Sequence, residues 1–177
     1  PLYEPIDRGN RLYFAGRREQ NPSKPMPSDA NSTMRMSYGT IKGYSPADAV
    51  EYDYFTTSRG ILEKNNPEST EFNVFPSFLE LIKKGDWGRW ADKKDGKLHV
   101  AFISTNDITG GNSGSPVFDK NGRVFGLAFD GNWEAMSGDI EFEPNLQRTI
   151  VVDIRYVLFT IDKWGKCSRL IDEMTIK

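Results

Sequence analysis

One cysteine, Cys167, and one histidine, His99, are all that the 177 residues hold of these two side chains. A lone cysteine forms no internal disulfide and has no thiolate partner for a structural zinc site. Cysteine usage therefore leaves the redox compartment open. Positive charge is not in excess: 23 Lys and Arg stand against 25 Asp and Glu, for a formal net charge of -2. The basic residues are scattered, so no stripe exists to neutralise phosphates and nucleic acid is excluded as a partner. Long apolar runs are missing too. The longest nearly apolar run, Tyr156 to Ile161, is far too short to cross a bilayer, and the N-terminus lacks the charged-then-apolar signal pattern, so a soluble chain without a membrane span is expected. There is no internal repeat and no low-complexity segment. No initiator methionine opens the chain, which begins at Pro1 and ends at Lys177, as a piece of a longer polypeptide would.

What is present is ordinary globular material. Hydrophobic residues make up 37% and charged residues 27%, with 11 Phe, 7 Tyr and 4 Trp to pack. The length suits one domain plus an appendage. Arg8 to Glu19 reads as the end of a helix, and Asn21 to Ser28, with Pro22, Pro25 and Pro27, reads as a linker. Thr33 to Tyr38 alternates with a period of two and predicts a strand, Tyr44-Ser45-Pro46 predicts a turn, and Val50 to Thr57 predicts a second strand. Phe75 to Lys84 predicts a short helix, with Pro76 in its first turn and Gly85 as its C-terminal cap. Leu98 to Ile103 predicts a strand leading into a glycine-rich loop. Beyond the loop, Pro116-Val117-Phe118 and Arg123 to Phe129 flank Asp119-Lys120-Asn121-Gly122, a strong hairpin signal. Asp153 to Trp164 predicts a closing helix capped by Asp153, with Ile154, Val157, Leu158, Ile161 and Trp164 on one face.

The loop Gly110-Gly111-Asn112-Ser113-Gly114-Ser115-Pro116 carries the chemistry. A serine hydroxyl is a poor nucleophile unless a base takes its proton and backbone N–H groups face the developing oxyanion. Gly111 can leave its N–H open beside that of Ser113, making a two-donor hole in which each donor is typically worth about 3 kcal/mol. Ser113 is thus the candidate nucleophile and Gly111 the candidate oxyanion donor. Gly and Ser are also plain turn residues, so the loop taken alone leaves a chemically silent turn open; the flanking strands and Pro116 argue against it. An α/β-hydrolase elbow is excluded, because position 115 is Ser instead of Gly and the serine precedes a hairpin instead of a helix.

This loop resembles the Gly-Asp-Ser-Gly-Gly-Pro signature of chymotrypsin-fold peptidases, with Asn112 and Ser115 as departures. Together with Asp29 to Thr33, Tyr38-Gly39, Gly43-Tyr44, Phe55-Thr56-Thr57, Phe129 to Asp139 and Val152 to Tyr156, it resembles the bacterial dipeptidyl-peptidase 7 and 11 family of serine exopeptidases from about residue 12 onward. The resemblance implies a mostly β fold: the C-terminal β-barrel half of a chymotrypsin-like double barrel, with a short helix in the middle and a C-terminal helix. Residues 1–30 would be the tail of an inserted helical domain with its linker, and 31–177 the barrel half with its closing helix. Family members are much longer, and their catalytic His and Asp lie in a barrel half that this sequence does not contain. His99 is then a strand histidine satisfied by local hydrogen bonds, not the general base.

By the same resemblance, Asp130 receives the free N-terminal amine of a peptide substrate, although Asp130-Gly131 also reads as a plain turn. Gly131 stands where an arginine would receive acidic side chains, so glycine implies an uncharged pocket for Phe, Met, Leu or Ile. Gly131→Arg is expected to move preference toward Asp and Glu. Trp133 reads as core packing, with pocket lining as the alternative. No metal or other cofactor is expected; the partners are peptide substrate and the missing barrel half, with a homodimer for the full-length protein. Periplasmic or secreted residence is implied by the family alone. The competing reading is a catalytically inactive peptide-binding or structural β-domain.

Overall fold

Asp119-Lys120-Asn121-Gly122 turns the chain because its residue types close a local hydrogen-bond ring. Asp119 Oδ1 accepts from the backbone N–H groups of Asn121 (2.8 Å) and Arg123 (3.0 Å), and Gly122 takes a left-handed φ of 75° that L side chains resist. These amide donors hold the Asp119 carboxyl at about 2, below its ordinary 3.8. The turn joins β5 (Pro116–Phe118) to β6 (Val124–Gly131). A computed structural model describes residues 3–23, 32–138 and 142–177.

Within Met36–Lys177, one of two compact units, β3 (Phe55–Thr57), β4 (His99–Ser104), β7 (Thr149–Asp153), β6 and β5 lie in that order as a five-stranded antiparallel sheet. A separate hairpin pairs β1 (Tyr44–Ala47) with β2 (Val50–Tyr52). The mostly β expectation holds. Among the described residues, however, the sheet stays open: β3 and β5 are its edges and do not pair with one another. The unit therefore holds no closed barrel of its own.

The core forms where helices cover the sheet. α2 (Ser58–Lys64), α3 (Pro76–Lys84), α4 (Ile154–Phe159) and α5 (Ser168–Asp172) follow strands or loops on this side. Phe78 and Ile82 of α3, Leu158 and Phe159 of α4, Ile171 of α5, Trp90 and Leu98 form one buried cluster. Each large aliphatic or aromatic side chain withdrawn from water there contributes about 2 kcal/mol before entropy. The helix predicted over 75–84 is α3, with Pro76 in its first turn and Gly85 capping it at φ 67°. Asp153 caps α4 by accepting from Arg155 N at 2.9 Å. The closing helix continues as a π-helical turn over Thr160–Trp164, where Gly165 N donates to Thr160 O at 2.8 Å. That wider turn presents Asp162 to the buried Trp90, whose Nε1 donates to its carboxylate at 2.9 Å.

Several sequence expectations differ from what forms. Thr33 to Tyr38 joins no ladder; the chain first meets β4 near Thr40, which accepts from Thr105 N at 2.9 Å, just where β4 ends. Met34, Met36 and Tyr38 are exposed accordingly. The turn expected at residues 44–46 is strand β1, and the reversal falls at Asp48-Ala49, with Ala49 at φ 58°. The strand expected over 50–57 divides into β2 and β3, which belong to different sheets. Asp53 Oδ1 accepts from its neighbour Tyr54 N at 2.7 Å, a local bond that competes with the ladder. Of the proposed linker, residues 24–28 lie outside the described residues, as does the 30/31 boundary. The other unit, Pro1–Arg35, contains α1 (Tyr3–Gln20), longer than the expected helix end and with no buried residue.

Arg155 ties loop to helix. Its guanidinium donates to Asp153 Oδ2 at 2.7 Å and to Asp92, while Asp153 itself is 5% exposed. The Arg155 bond, followed by the Lys94 amide, holds the Asp92 carboxyl at about 2, down from 3.8. A carboxyl depressed on folding stabilises the native state above its unfolded value and loses that contribution as pH falls through its folded value. Acid unfolding is thus expected to draw on Asp92 between pH 3.8 and about 2. Arg155→Met should cost about 2 kcal/mol at neutral pH, less than for a fully buried pair because Arg155 stays partly in water, and should flatten that acid limb. Denaturant titrations at pH 7 and across the acid range check both.

Candidate active site

Three sets of hydrogen bonds shape the loop around Ser113. Asn112 Oδ1 accepts from Thr109 N (3.1 Å), Asn112 N donates to Thr109 O (3.2 Å) and Ser115 N donates to Asn112 O (3.0 Å), closing a tight turn on itself. Gly114 N donates to Ala128 O at 2.7 Å and Ala128 N donates to Ser115 O at 2.9 Å, stitching the loop to β6. Ser113 Oγ donates to Phe129 O at 3.2 Å. The path needs glycine at two points, Gly111 with φ 94° and Gly114 with φ 82°. Ser113 is left exposed, and among the described residues the N–H groups of Gly111 and Ser113 donate to no backbone carbonyl. The loop thus combines an accessible hydroxyl with two uncommitted amides.

β6 reaches this loop through a bulge. Ala128 pairs with Val151 and Asp130 with Ile150, so Phe129 is an extra residue on its strand. That extra residue supplies the carbonyl that receives the Ser113 hydroxyl. Asp130 follows it, exposed, with Oδ1 accepting from Gly131 N at 2.8 Å. The turn alternative for Asp130 is not realised, since Asp130 and Gly131 pair with Ile150 and Thr149 inside β6.

Beyond Gly131 the chain folds into a 3-10 turn, Trp133–Ser137. A small recess of about 20 Å³ opens beside it, lined among others by Asp107, Ile108, Gly131, Ala135, Phe142 and Arg148. That is room for about one water molecule, far below the range of about 300–1,000 Å³ usual for small-molecule sites. Buried Arg148 forms part of its wall. Its five N–H donors reach five backbone carbonyls, those of Lys42, Gly43, Pro144, Asn145 and Gln147, at 2.7–3.2 Å. Buried Asn132 exchanges bonds with the Arg148 backbone, accepting from Arg148 N at 2.8 Å and donating its own N–H to Arg148 O at 2.9 Å. Tyr44 OH donates to Glu134 Oε2 at 2.8 Å, and burial is the first cause raising the Tyr44 hydroxyl pKa.

The structure sets Ser113 against Phe129, the residue before Asp130 and Gly131 on β6, and keeps Gly111 on the same loop as Ser113. It keeps His99 apart. That histidine is 7% exposed, its Nε2 lies 2.9 Å from Asp95 Oδ2, and its ring stacks on Phe55 at 4.1 Å. No hydrogen bond joins it to Ser113 among the described residues. The expectation of core packing for Trp133 is overturned: the side chain is 83% exposed, because the 3-10 turn directs it away from the sheet. Sequence reading did not single out Asn132, Ala135 or Arg148; only Asn before a tight turn carried even a weak signal. Asp139, at the end of one family word, lies outside the described residues. Asp92, Asp95 and His99 cluster closely enough to suggest a metal site, but Arg155 already occupies Asp92.

Comparison with known proteins follows this geometry. The family described as Peptidase S46 matches residues 1–176. Dipeptidyl-peptidase 7 of Porphyromonas gingivalis is 66% identical over 171 residues, 97% of this chain and 24% of that protein. The Asp/Glu-specific dipeptidyl-peptidase of the same organism is 49% identical over 176 residues, 99% of this chain and 24% of that protein. The crystal structure of Porphyromonas endodontalis DPP11 in complex with dipeptide Arg-Glu superposes with a TM-score of 0.85 at 45% identity, covering 96% of this chain and 24% of that one. Its complex with dipeptide Arg-Asp gives 0.87 at 44% identity, covering 98% and 25%. The chain thus spans about a quarter of the length of these relatives.

The loop geometry makes a direct prediction. A Cβ at Gly114 would meet nothing within 4 Å, so Gly114→Ala imposes backbone strain without a clash. It should cost about 1 kcal/mol of stability by denaturant titration, the usual scale for an L residue held in the left-handed region.

Proposed function

Because this chain belongs to the Peptidase S46 family, we propose that it is the nucleophile-bearing part of a serine dipeptidyl-peptidase that removes dipeptides from free N-termini. The observation that carries the reading is the exposed Ser113 hydroxyl beside the open amides of Gly111 and Ser113, on a loop whose bonds to β6 fix both. Ser113 Oγ attacks the carbonyl of the second substrate residue while its proton passes to a base. The tetrahedral oxygen then takes the two amides, and the leaving amine departs with a proton. Water releases the dipeptide from the acyl-enzyme by the same route in reverse order. The base and its orienting carboxylate would lie in the part of the protein outside these residues. Residues 1–30 would be the tail of an inserted helical domain and 31–177 one half of a two-barrel catalytic unit.

Asp130 supports the exopeptidase reading by position. Its carboxylate lies one residue past the carbonyl that accepts from Ser113, a short reach for a dipeptide whose amine needs an anionic partner. Gly131 adds no charged side chain to the recess, whose wall joins apolar Ile108 and Phe142 to Asp107 and to an Arg148 guanidinium already bonded to backbone carbonyls. The absence of a side chain at 131 supports an uncharged, bulky hydrophobic residue before the scissile bond. The higher identity to a dipeptidyl-peptidase 7 than to an Asp/Glu-specific relative is in keeping with this. Among the described residues no helix is long and apolar enough to cross a membrane; residence in the periplasm or outside the cell follows from the family reading.

A second reading, that these 177 residues alone act only as a peptide-binding module, draws on one observation. The Ser113 hydroxyl donates a hydrogen bond to the Phe129 carbonyl, and the His99 Nε2 is engaged with Asp95. A fluorophosphonate probe separates the cases. Expected is rapid labelling of Ser113 in the full-length protein, abolished by Ser113→Ala, and no labelling of the isolated chain. Rapid labelling of the isolated chain would mean that a base is present within it.

Asp130→Asn in the full-length protein should lower kcat/KM for free-amine dipeptidyl substrates by about 10- to 100-fold, the scale of one charge-assisted hydrogen bond. N-acetylated substrates should be refused by the parent protein. Equal turnover of acetylated and free peptides would remove the role given to Asp130.

A further inference from the structure

We infer that Ala135 is a second determinant of which side chain the cavity accepts, acting as one steric unit with Gly131. The inference rests on the proposed reading of the cavity as the site of the residue before the scissile bond. A Cβ built on Gly131 would lie 2.9 Å from the Ala135 Cβ, closer than side-chain carbons approach one another, and both residues line the cavity. The obstacle is steric and not conformational. Gly131 does not have a positive φ, so its backbone would accept an L residue if the space were free. What position 131 can carry is therefore decided by what stands at 135.

A flexible neighbour could swing aside, but a methyl group moves only with its backbone, and this backbone is pinned. Ala135 N donates to Asn132 O and Gly138 N donates to Ala135 O, each at 2.9 Å. Asn132 is anchored in turn, donating through Nδ2 to Leu146 O and Glu134 Oε2 and accepting from Arg148 N, each at 2.8 Å. Gly138 is hemmed in as well, since a Cβ there would meet Ala135 O and Gln147 Oε1 at 3.0 Å. The wall is built from small residues held at minimum separation. One added carbon must displace a turn that several hydrogen bonds hold in place.

The consequence for changing specificity is concrete. Gly131→Arg alone must shift the turn before its guanidinium can reach the cavity, so it should lose stability as well as change preference. Removing the Ala135 methyl should relieve that conflict.

The test is a double-mutant cycle in a full-length protein containing this chain, comparing Gly131→Ala, Ala135→Gly and the pair. The readouts are melting temperature, kcat and KM on dipeptidyl fluorogenic substrates with Leu, Met or Phe before the scissile bond. Gly131→Ala is expected to lower the melting temperature and to reduce kcat/KM on the Phe substrate by about tenfold, mainly through KM, with the pair returning within about threefold of the parent. Ala135→Val should narrow the cavity and penalise Phe about tenfold more than Leu. Simple additivity in the cycle, or equal losses on all three substrates with Ala135→Val, would overturn the coupling. Fluorophosphonate labelling of Ser113 in each protein keeps the two readings distinct. Labelled, active proteins with additive effects sink only the Ala135 inference, whereas an unlabelled, inactive parent sinks the peptidase reading beneath it.

Discussion

The buried guanidinium of Arg148 organises the region around the cavity. An arginine withdrawn from water needs all five N–H donors satisfied, and here they reach carbonyls from two separated stretches of chain, Lys42-Gly43 and Pro144 to Gln147. Its ring-facing contact with Tyr44 extends the same tie to β1. Because Asn132 and Arg148 also exchange backbone and side-chain bonds, the far end of β6 cannot move without breaking the Arg148 network. The cavity wall at Gly131 and Ala135 inherits its position from that constraint. Rigidity here fits the proposed role of this recess, since a site that sorted side chains would have to resist being pushed open.

A second constraint meets the first on β6. The bulge at Phe129 lets one strand do two things within three residues: its carbonyl faces Ser113, and the following residues turn toward the cavity. An unbulged strand would keep strict alternation and place every second residue on the same face. The extra residue breaks that alternation where the loop arrives. Candidate amine partner and recess wall thereby share one short segment of β6 next to the carbonyl that accepts from Ser113, with the Gly114 and Ser115 bonds to Ala128 holding loop to strand.

Much of the local structure was legible in the residues. Pro76 and Gly85 bracket α3, Asp153 starts α4, and Asp119 to Gly122 makes its hairpin, because in each case the deciding bond lies within a few positions of the residue that makes it. The loop around Ser113 was legible for the same reason. Reading failed where a partner strand decides. The alternation of Thr33 to Tyr38 is genuine, but among the described residues the segment pairs with no strand. Val50 to Thr57 looks like one strand, yet Asp53 breaks it and its halves enter different sheets. Trp133 was read as core since large aromatics usually are, and a 3-10 turn placed it in water.

The sequence by itself determined the glycine-rich loop with Ser113, the carboxylate at 130 and the absence of a side chain at 131, because residue identity is sufficient for each. It also determined that His99 has no second histidine to replace it. Only the tertiary structure decided that His99 faces Asp95 and Phe55, that the sheet remains open, and that the Ala135 methyl fills the space beside Gly131. These depend on distances between residues remote in sequence or on different elements, and side-chain chemistry carries no record of such distances until the backbone has folded.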